Sequence, residues 1–159
     1  AVDAITKTEE ALLPAKGGAL SISEKAQKLD AGMRAEFQVS MNHWNSAKKN
    51  LALRHFNELI SRQADFVPAH KHMFTDFAIQ LRKINQHELA LSSATRCTKL
   101  SPDDSHAFFN VSRLYYELGR YDEANRFIDG ALELESNLEP ALRLSDVIKE
   151  CMRRKAKNR

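Results

Sequence analysis

The stretch LYYELGRYDEANRFIDGALELE (residues 114–135) places the small residues Gly119, Ala124 and Ala131 among bulky ones. Apolar residues recur on both sides of Gly119 at the three- and four-residue spacing of an amphipathic helix. Glycine reaches, without steric cost, the left-handed backbone conformation that ends a helix. The stretch therefore predicts two helices joined by a tight turn, with the small residues where the helices cross closely.

The same pattern recurs 34 residues earlier in the chain. Asn85 falls on Gly119, and asparagine is the next best residue after glycine for the left-handed conformation. At the other matched positions, large residues mostly coincide with large residues and small residues with small ones. These positions are Phe108 on Phe74, Val111 on Phe77, Ser112 on Ala78, Tyr115 on Leu81, Ala124 on Ala90, Ile128 on Ala94, Ala131 on Cys97 and Leu134 on Leu100. An internal period of this length predicts stacked copies of one helical hairpin.

A weaker copy precedes these two. Its matches, at an offset of 38, are Ser40 on Ala78, Ala47 on Asn85, Ala52 on Ala90, Phe56 on Ala94 and Leu59 on Cys97. Ala47 therefore stands where the third copy has its turn glycine. Pro68 returns to the offset of 34 from Pro102, which places four additional residues within residues 60–67. Four residues amount to about one additional helical turn before the next copy.

Polar residues mark the predicted helix starts. Ser101 is predicted as an N-cap, followed by a proline at the first helical position and acids in the first turn, and Ser136 repeats the pattern one period later. Ser21 and Glu24 form a capping box that opens an N-terminal helix. The residues of that helix predicted to pack on the first copy are Ala26, Leu29 and Met33.

The composition favours helices. Only five of the 159 residues are glycine and four are proline, which suits a turn-rich β architecture poorly, and the net charge of +3 is mild. No apolar run approaches the roughly 18 residues of a membrane span, so no membrane insertion is expected. Cys97 and Cys151 are predicted to be reduced, buried thiols. The chain begins at Ala1, which we interpret as a processed or trimmed product; we expect the cytoplasm, with the periplasm and other compartments left open.

Residues 105–138 resemble the tetratricopeptide repeat (TPR). The residues that carry the resemblance are Phe108, Val111, Ser112, Tyr115, Gly119, Tyr121, Ala124 and Ala131, with Ser136 where the family often has proline. Residues 71–104 resemble the repeat as well, although His87 replaces the usual aromatic residue. The resemblance implies an all-α fold, a right-handed superhelical array of antiparallel helix pairs with about three TPR units, an N-terminal helix and a C-terminal capping helix.

The resemblance also implies a domain organisation. We expect a flexible or partly helical segment at 1–20, a single domain at 21–158, repeats at approximately 33–70, 71–104 and 105–138, and a capping helix at 140–158. The apolar stripe predicted to hold the capping helix on the last repeat consists of Leu142, Leu144, Val147, Ile148 and Cys151. A terminal helix of this kind covers a stacking face that would otherwise be exposed.

In TPR arrays the first helix of every repeat lines a concave groove, so the resemblance implies a partner-binding site there. The first-helix residues left over from the core are Phe37, Met41, Trp44, Thr75, Ile79, Arg82, Phe109, Asn110, Arg113 and Tyr116. Trp44, Phe109 and Tyr116 are the predicted anchors, because large aromatic side chains outside the core are frequent in interfaces. Two alternatives stay open: that Trp44 and Phe37 pack against the N-terminal segment while Tyr116 only covers a neighbour, and that residues 1–20 occupy the groove.

Three functions are compatible with such an array. A scaffold or adaptor that binds a protein or peptide partner is the first. The layout also resembles chaperones that hold type III secretion translocators, although those are commonly acidic and this chain has a pI of about 8.9. Nucleic acid is not expected as a partner, since Asp76 and Glu117 interrupt the basic residues of the groove. Homo-oligomerisation is left open.

The residue patterns give no support for catalysis, a cofactor or a metal. His70 and His72 are two residues apart, which would place them on different faces of a helix. Cys97 takes a helix-crossing position, where burial makes a thiol unreactive. TPR proteins also bind acidic C-termini of heat-shock chaperones through a clamp of Lys, Asn and Arg; at the matching places only Asn110 is suitable, and Asp76 would repel a carboxylate. We therefore expect no enzyme and no clamp of this type.

Overall fold

Seven α-helices form the described part of the chain, which in this computed structural model comprises residues 21–62 and 66–159. The helices are α1 (Ile22–Asn45), α2 (Lys49–Ser61), α3 (Lys71–Lys83), α4 (His87–Leu100), α5 (Ser105–Glu117), α6 (Tyr121–Leu134) and α7 (Glu139–Lys157). These two ranges contain no strand, so the predicted all-α class is confirmed. The predictions for residues 1–20 lie outside the described residues. None of the described helices is long and apolar enough to cross a membrane.

The helices pack as pairs in chain order. Helix α1 packs on α2, α3 on α4 and α5 on α6, while α4 against α5 and α6 against α7 join successive units. The first junction differs, because there α2 lies against α4 and α1 against α3. The first helices of the pairs (α1, α3, α5) form what we call the groove side, and the second helices (α2, α4, α6) form the back.

All three turns within the pairs have a left-handed residue. The φ angles are 62° at Ala47, 61° at Asn85 and 75° at Gly119. The amide that follows each of them donates to a carbonyl five residues earlier, at 2.8–2.9 Å. This is the hydrogen bond of a Schellman motif, which satisfies a carbonyl at the end of the helix. The predicted equivalence of the three turns is confirmed, including the turn built on an alanine.

Small residues lie where the paired helices cross. Ala90 and Ala124 have no exposed surface. The Ser93 hydroxyl donates to the carbonyl of Phe74, and the Ser112 hydroxyl donates to the carbonyl of Ala124, both at 2.7 Å. The second and third pairs are therefore each joined by close packing and by a buried hydrogen bond between their helices.

The helix starts are predicted correctly at only one place. The capping box of Ser21 and Glu24 is present, with the Glu24 amide donating to the Ser21 hydroxyl at 3.2 Å. The predicted cap at Ser101 is wrong, because α5 begins later and Asp104 caps it by accepting from the His106 amide at 3.0 Å. The predicted cap at Ser136 is also wrong, since α7 follows Leu138, which offers no capping side chain. In both connections the serine lies in the turn before the helix.

The connection between the first two pairs is longer than the others. Helix α2 ends at Ser61, and a 3₁₀ turn at Pro68–His70 leads directly into α3. The additional helical turn predicted within residues 60–67 is not observed in the described part of that stretch, because α2 ends at Ser61 and Arg62, Phe66 and Val67 are not helical. Residues 63–65 lie outside the described residues.

Helix α7 covers α6 with small residues. Ala141, Ser145 and Ile148 are buried and stand 34 residues after Ala107, Val111 and Leu114, which pack α5 against the preceding pair. The predicted stripe is partly wrong, since Leu142 and Val147 are 40% and 43% exposed. Leu142, Asp146 and Lys149 hold the places by which α5 meets its own second helix, and all three are exposed. Helix α7 therefore repeats the stacking face of a first helix but not its pairing face.

Candidate partner-binding groove

Two ion pairs connect the first helices across the groove side. Arg34 Nη2 of α1 lies 3.0 Å from Asp76 Oδ2 of α3. Arg82 Nε of α3 donates to both carboxylate oxygens of Glu117 on α5, at 2.7 and 2.8 Å. His87 Nε2 lies 3.0 Å from the same carboxylate. One ion pair thus connects α1 to α3 and the other connects α3 to α5, and within each pair the opposite charges neutralise each other.

A cleft of about 670 Å³ lies between α1 and α3. Its lining consists of Arg34, Phe37, Gln38, Met41, Asn45, Asp76, Phe77, Ile79 and Gln80. The floor is the stacked pair of Phe37 and Phe77, with ring centroids 4.2 Å apart and planes 2° from parallel. Ile79 is 38% exposed, which makes it the most accessible apolar side chain of this cleft.

Amide side chains surround this apolar floor. Gln38 and Asn45 come from α1 and Gln80 from α3, and all three are exposed. An amide side chain offers both hydrogen-bond donors and an acceptor, which are the groups that an extended peptide backbone requires. The cleft therefore combines an apolar floor with amide groups and with the ion pair of Arg34 and Asp76.

The second part of the groove side, between α3 and α5, is almost closed. Thr75, Ile79, Arg82, Asn110 and Arg113 contribute to its lining. Its free volume is about 10 Å³, space for roughly one water molecule. This part can contact a partner at its surface, but it cannot admit a side chain unless the helices separate.

Arg113 and Glu117 dominate the electrostatics of that part. Burial, and then the charge of Arg82, lower the pKa of Arg113, and its buried Nε has no hydrogen-bond partner within the described residues. Burial by itself would raise the pKa of Glu117, but the hydrogen bond and charge of Arg82 outweigh it and, together with His87, keep that pKa below its ordinary value. Glu117 is therefore held ionised, whereas Arg113 keeps a donor available.

Seven of the ten predicted groove residues line one of these two parts. They are Phe37, Met41, Thr75, Ile79, Arg82, Asn110 and Arg113. Phe37 contributes as a buried floor residue, since only 6% of it is exposed. Thr75 is engaged as well, because its hydroxyl lies 3.0 Å from Cys97 Sγ and donates to the Lys71 carbonyl.

The three predicted aromatic anchors line neither part. Trp44 packs against the core, with Lys49 Nζ 4.9 Å from its ring centroid. Phe109 lies beneath the guanidinium of Arg113, at 5.7 Å. Tyr116 packs against Tyr121, at 6.0 Å between ring centroids. The contact of Tyr116 agrees with the alternative that this ring covers a neighbouring residue. The alternative that Trp44 and Phe37 pack against the N-terminal segment concerns residues 1–20, which lie outside the described residues.

Sequence reasoning missed Asn45, Gln80 and Phe77 as lining residues and Glu117 as the partner of Arg82. A signal for Asn45 was present, because it stands seven residues after Gln38 and therefore shares one face of α1 with it. The pairing of Arg82 with Glu117 joins residues 35 apart and depends on how the helix pairs stack. No local pattern reveals it.

The cysteines and histidines make no metal-binding arrangement in the described residues. Burial raises the pKa of the Cys97 thiol, and Cys151 is half-buried rather than buried; both are free. The prediction that His70 and His72 face apart is wrong, since both approach Asp30, at 3.6 and 2.9 Å, because His70 belongs to the 3₁₀ turn. Among residues 21–62 and 66–159 no group of three His, Cys, Asp or Glu is arranged to hold a metal ion.

Comparison with known proteins identifies the repeat. The family model of the tetratricopeptide repeat matches residues 105–138. The chain is 28% identical over 125 residues to the protein STIP1 homolog of Dictyostelium discoideum, which covers 76% of this chain and 21% of that protein. It therefore spans about a fifth of the length of this relative. The predicted resemblance to the TPR is confirmed.

Solved structures of TPR domains have the same fold. The TPR domain of Sgt2 from Aspergillus fumigatus has a TM-score of 0.55 at 18% identity and covers 80% of this chain and 82% of that one. The first TPR of Spaghetti (RPAP3) bound to the HSP90 peptide SRMEEVD has a TM-score of 0.52 at 17% identity, covering 76% and 92%. The first TPR domain of the human RPAP3 protein has a TM-score of 0.55 at 16% identity and covers 80% of this chain and 97% of that one.

Proposed function

We propose that this chain, a helical array of TPR type, is a protein–protein interaction module that binds a peptide segment of a partner protein in a scaffold or adaptor role. The observation that carries the proposal is the α1–α3 cleft of about 670 Å³ with its aromatic floor. Its volume, its aromatic floor and the polar groups that converge on it are features of a binding site. The proposal assigns no reaction to the chain and places it in the cytoplasm.

The lining residues favour an extended segment of low charge. Ile79 and Met41 offer contacts to an apolar side chain, and Gln38, Gln80 and Asn110 can pair with the backbone of the segment. Asp76 neutralises Arg34, and Glu117 neutralises Arg82. These two arginines therefore contribute little attraction for an acidic partner. The segment would place its apolar side chain over Ile79.

The first TPR of Spaghetti (RPAP3) offers a comparison for this mode of binding, because its structure holds an HSP90 peptide with the sequence SRMEEVD. The acidic end of such a peptide suits this chain poorly, since Asp76 and Glu117 both lie on the groove side. We therefore place an uncharged internal segment, rather than an acidic C-terminus, in the groove.

The experiment is a selection of displayed random peptides against the wild-type chain, with affinities of the selected peptides measured by fluorescence polarisation. Ile79→Ser combined with Gln80→Ala should weaken binding by about tenfold or more, the effect of losing a central contact. Leu134→Ser is the matched control, because Leu134 at the end of α6 is similarly exposed, at 45%. Unchanged affinity in the double variant would remove the groove from the proposal.

A further inference from the structure

A second cleft, of about 380 Å³, lies on the back of the array between α2 and α4. Arg96 and Lys99 line it together with the hydroxyl-bearing Thr95 and Tyr115, and none of the nine described lining residues is an Asp or a Glu. A concave surface with cations and no acid concentrates positive potential. This cleft is separate from the groove side, since eight of its nine described lining residues belong to the second helices α2 and α4, and only Tyr115 comes from α5.

Arg96 is the unusual residue of this cleft. Only 8% of it is exposed, and within the described residues its Nε has no hydrogen-bond partner. Its Nη2 donates to the carbonyl of Arg62, which is a neutral acceptor, and its guanidinium carbon lies 6.0 Å from the Phe74 ring centroid. Burying a cation is costly unless an anion and further hydrogen bonds compensate for the lost hydration.

The equivalent place in the third repeat shows that the helix pair does not need this cation. Thirty-four residues after Arg96 stands Gly130, where a Cβ would lie 3.1 Å from the side chain of Phe108, so the third repeat has no side chain at this place. The places of Thr95 and Lys99 are taken there by Asp129 and Glu133. The positive charge is therefore specific to the junction of the first two pairs and is reversed in sign one repeat later.

We propose that this back cleft binds a phosphate group, with Arg96 and Lys99 as its cationic contacts and the Thr95 hydroxyl as a further donor. A phosphate suits the cleft because it carries up to two negative charges and three acceptor oxygens. Arginine pairs readily with phosphate through its several N–H groups, and Lys99 adds a point charge one turn after Thr95 and Arg96. The site is independent of the peptide-binding groove.

The test is calorimetric titration of the intact chain with inorganic phosphate and, separately, with O-phosphoserine. We expect saturable binding, weakened about tenfold or more in Lys99→Gln, the loss that one charge-assisted hydrogen bond implies. Arg126→Gln is the matched control, because it removes one exposed charge from the back outside the cleft. Tighter binding of O-phosphoserine would identify a phosphorylated side chain as the source of the group, and tighter binding of inorganic phosphate a free anion; both support the site.

Two results would overturn the site: no saturable heat with either ligand in the wild type, or equal affinity in Lys99→Gln and Arg126→Gln. Arg96→Gln should also lose binding while remaining folded by circular dichroism; if it unfolds, Lys99→Gln and Thr95→Val decide the matter. Asp65 lies outside the described residues and supplies a further control. Binding that occurs only in Asp65→Asn would mean that this carboxylate already serves Arg96, which would contradict the proposal.

Discussion

Ala47 and Gly119 have the same left-handed backbone conformation, with φ of 62° and 75°, although only one of them is a glycine. Both residues end the first helix of a pair, and the amide that follows each donates across the turn in the same way. An L-residue with a Cβ pays about 1–2 kcal/mol for this conformation, whereas glycine does not. The turn of the first pair is therefore strained by its side chain, while the turn of the third is not.

Ala47→Gly should stabilise the protein. Removing the Cβ relieves the strain of the left-handed conformation, and the greater chain entropy of an unfolded glycine offsets part of the gain, which leaves about 1 kcal/mol or less. Urea unfolding followed by circular dichroism measures the change. Gly119→Ala is the reciprocal control and should destabilise the protein by about 1–2 kcal/mol. Equal stability of all three proteins would show that the conformation carries no strain.

Alanine substitutions of Phe37 and Ile79 should affect the stability of the protein and its affinity for peptides to different extents. Phe37 is buried against Phe77 and Phe56, so Phe37→Ala is expected to cost about 3–5 kcal/mol of unfolding free energy. Ile79 is 38% exposed, and Ile79→Ala should cost about 1 kcal/mol or less while weakening the peptides selected for the groove. Chemical denaturation and fluorescence polarisation on both variants give the two readouts. A mild effect of Phe37→Ala on stability would mean that the ring is a contact residue and not part of the core.

The helix pairs could be predicted from the sequence because the signals for them are local and repeated. The left-handed turn needs Gly119 or Asn85 at one backbone position, and the crossing needs Ala90 and Ala124 at another, so two independent constraints share the same period of 34. The helix starts had no such redundancy. Residues 101–104 contain three potential caps, and only tertiary packing selects Asp104 among them.

The groove could be predicted only in part, because its surface depends on how the pairs stack. Helical periodicity places Trp44 and Tyr116 outside the predicted core, but their rings contact Lys49 and Tyr121 and do not line the cleft. Ion pairs such as that of Arg82 join residues far apart in the chain, and they decide which cations remain available. Side-chain pairing across repeats leaves no periodic trace in one sequence.

Glu117 should contribute to the pH dependence of stability. Its folded pKa lies below the ordinary value of 4.5, so its stabilising contribution is complete above that value and is lost as the pH falls through the folded pKa. Glu117→Gln should therefore flatten this part of the acid limb when unfolding free energy is plotted against pH. Glu133→Gln removes one exposed acid of α6 and is the control for the loss of a single negative charge. Parallel acid limbs for wild type and Glu117→Gln would contradict the pairing with Arg82.

Asp76 should determine how the groove side discriminates against acidic peptides. Its carboxylate neutralises Arg34 at 3.0 Å, so Asp76→Asn removes one negative charge and leaves Arg34 available. We expect this variant to bind the peptide SRMEEVD about fivefold more tightly than wild type, the effect of about 1 kcal/mol between charges near a surface. Stability should change little, since an exposed ion pair contributes about 0–1 kcal/mol. Fluorescence polarisation at low and high salt measures the gain, which screening should reduce. Glu133→Gln removes the same charge from the back and should leave the affinity unchanged. If Asp76→Asn binds the peptide no better than this control does, repulsion by Asp76 is not what keeps acidic segments out of the groove.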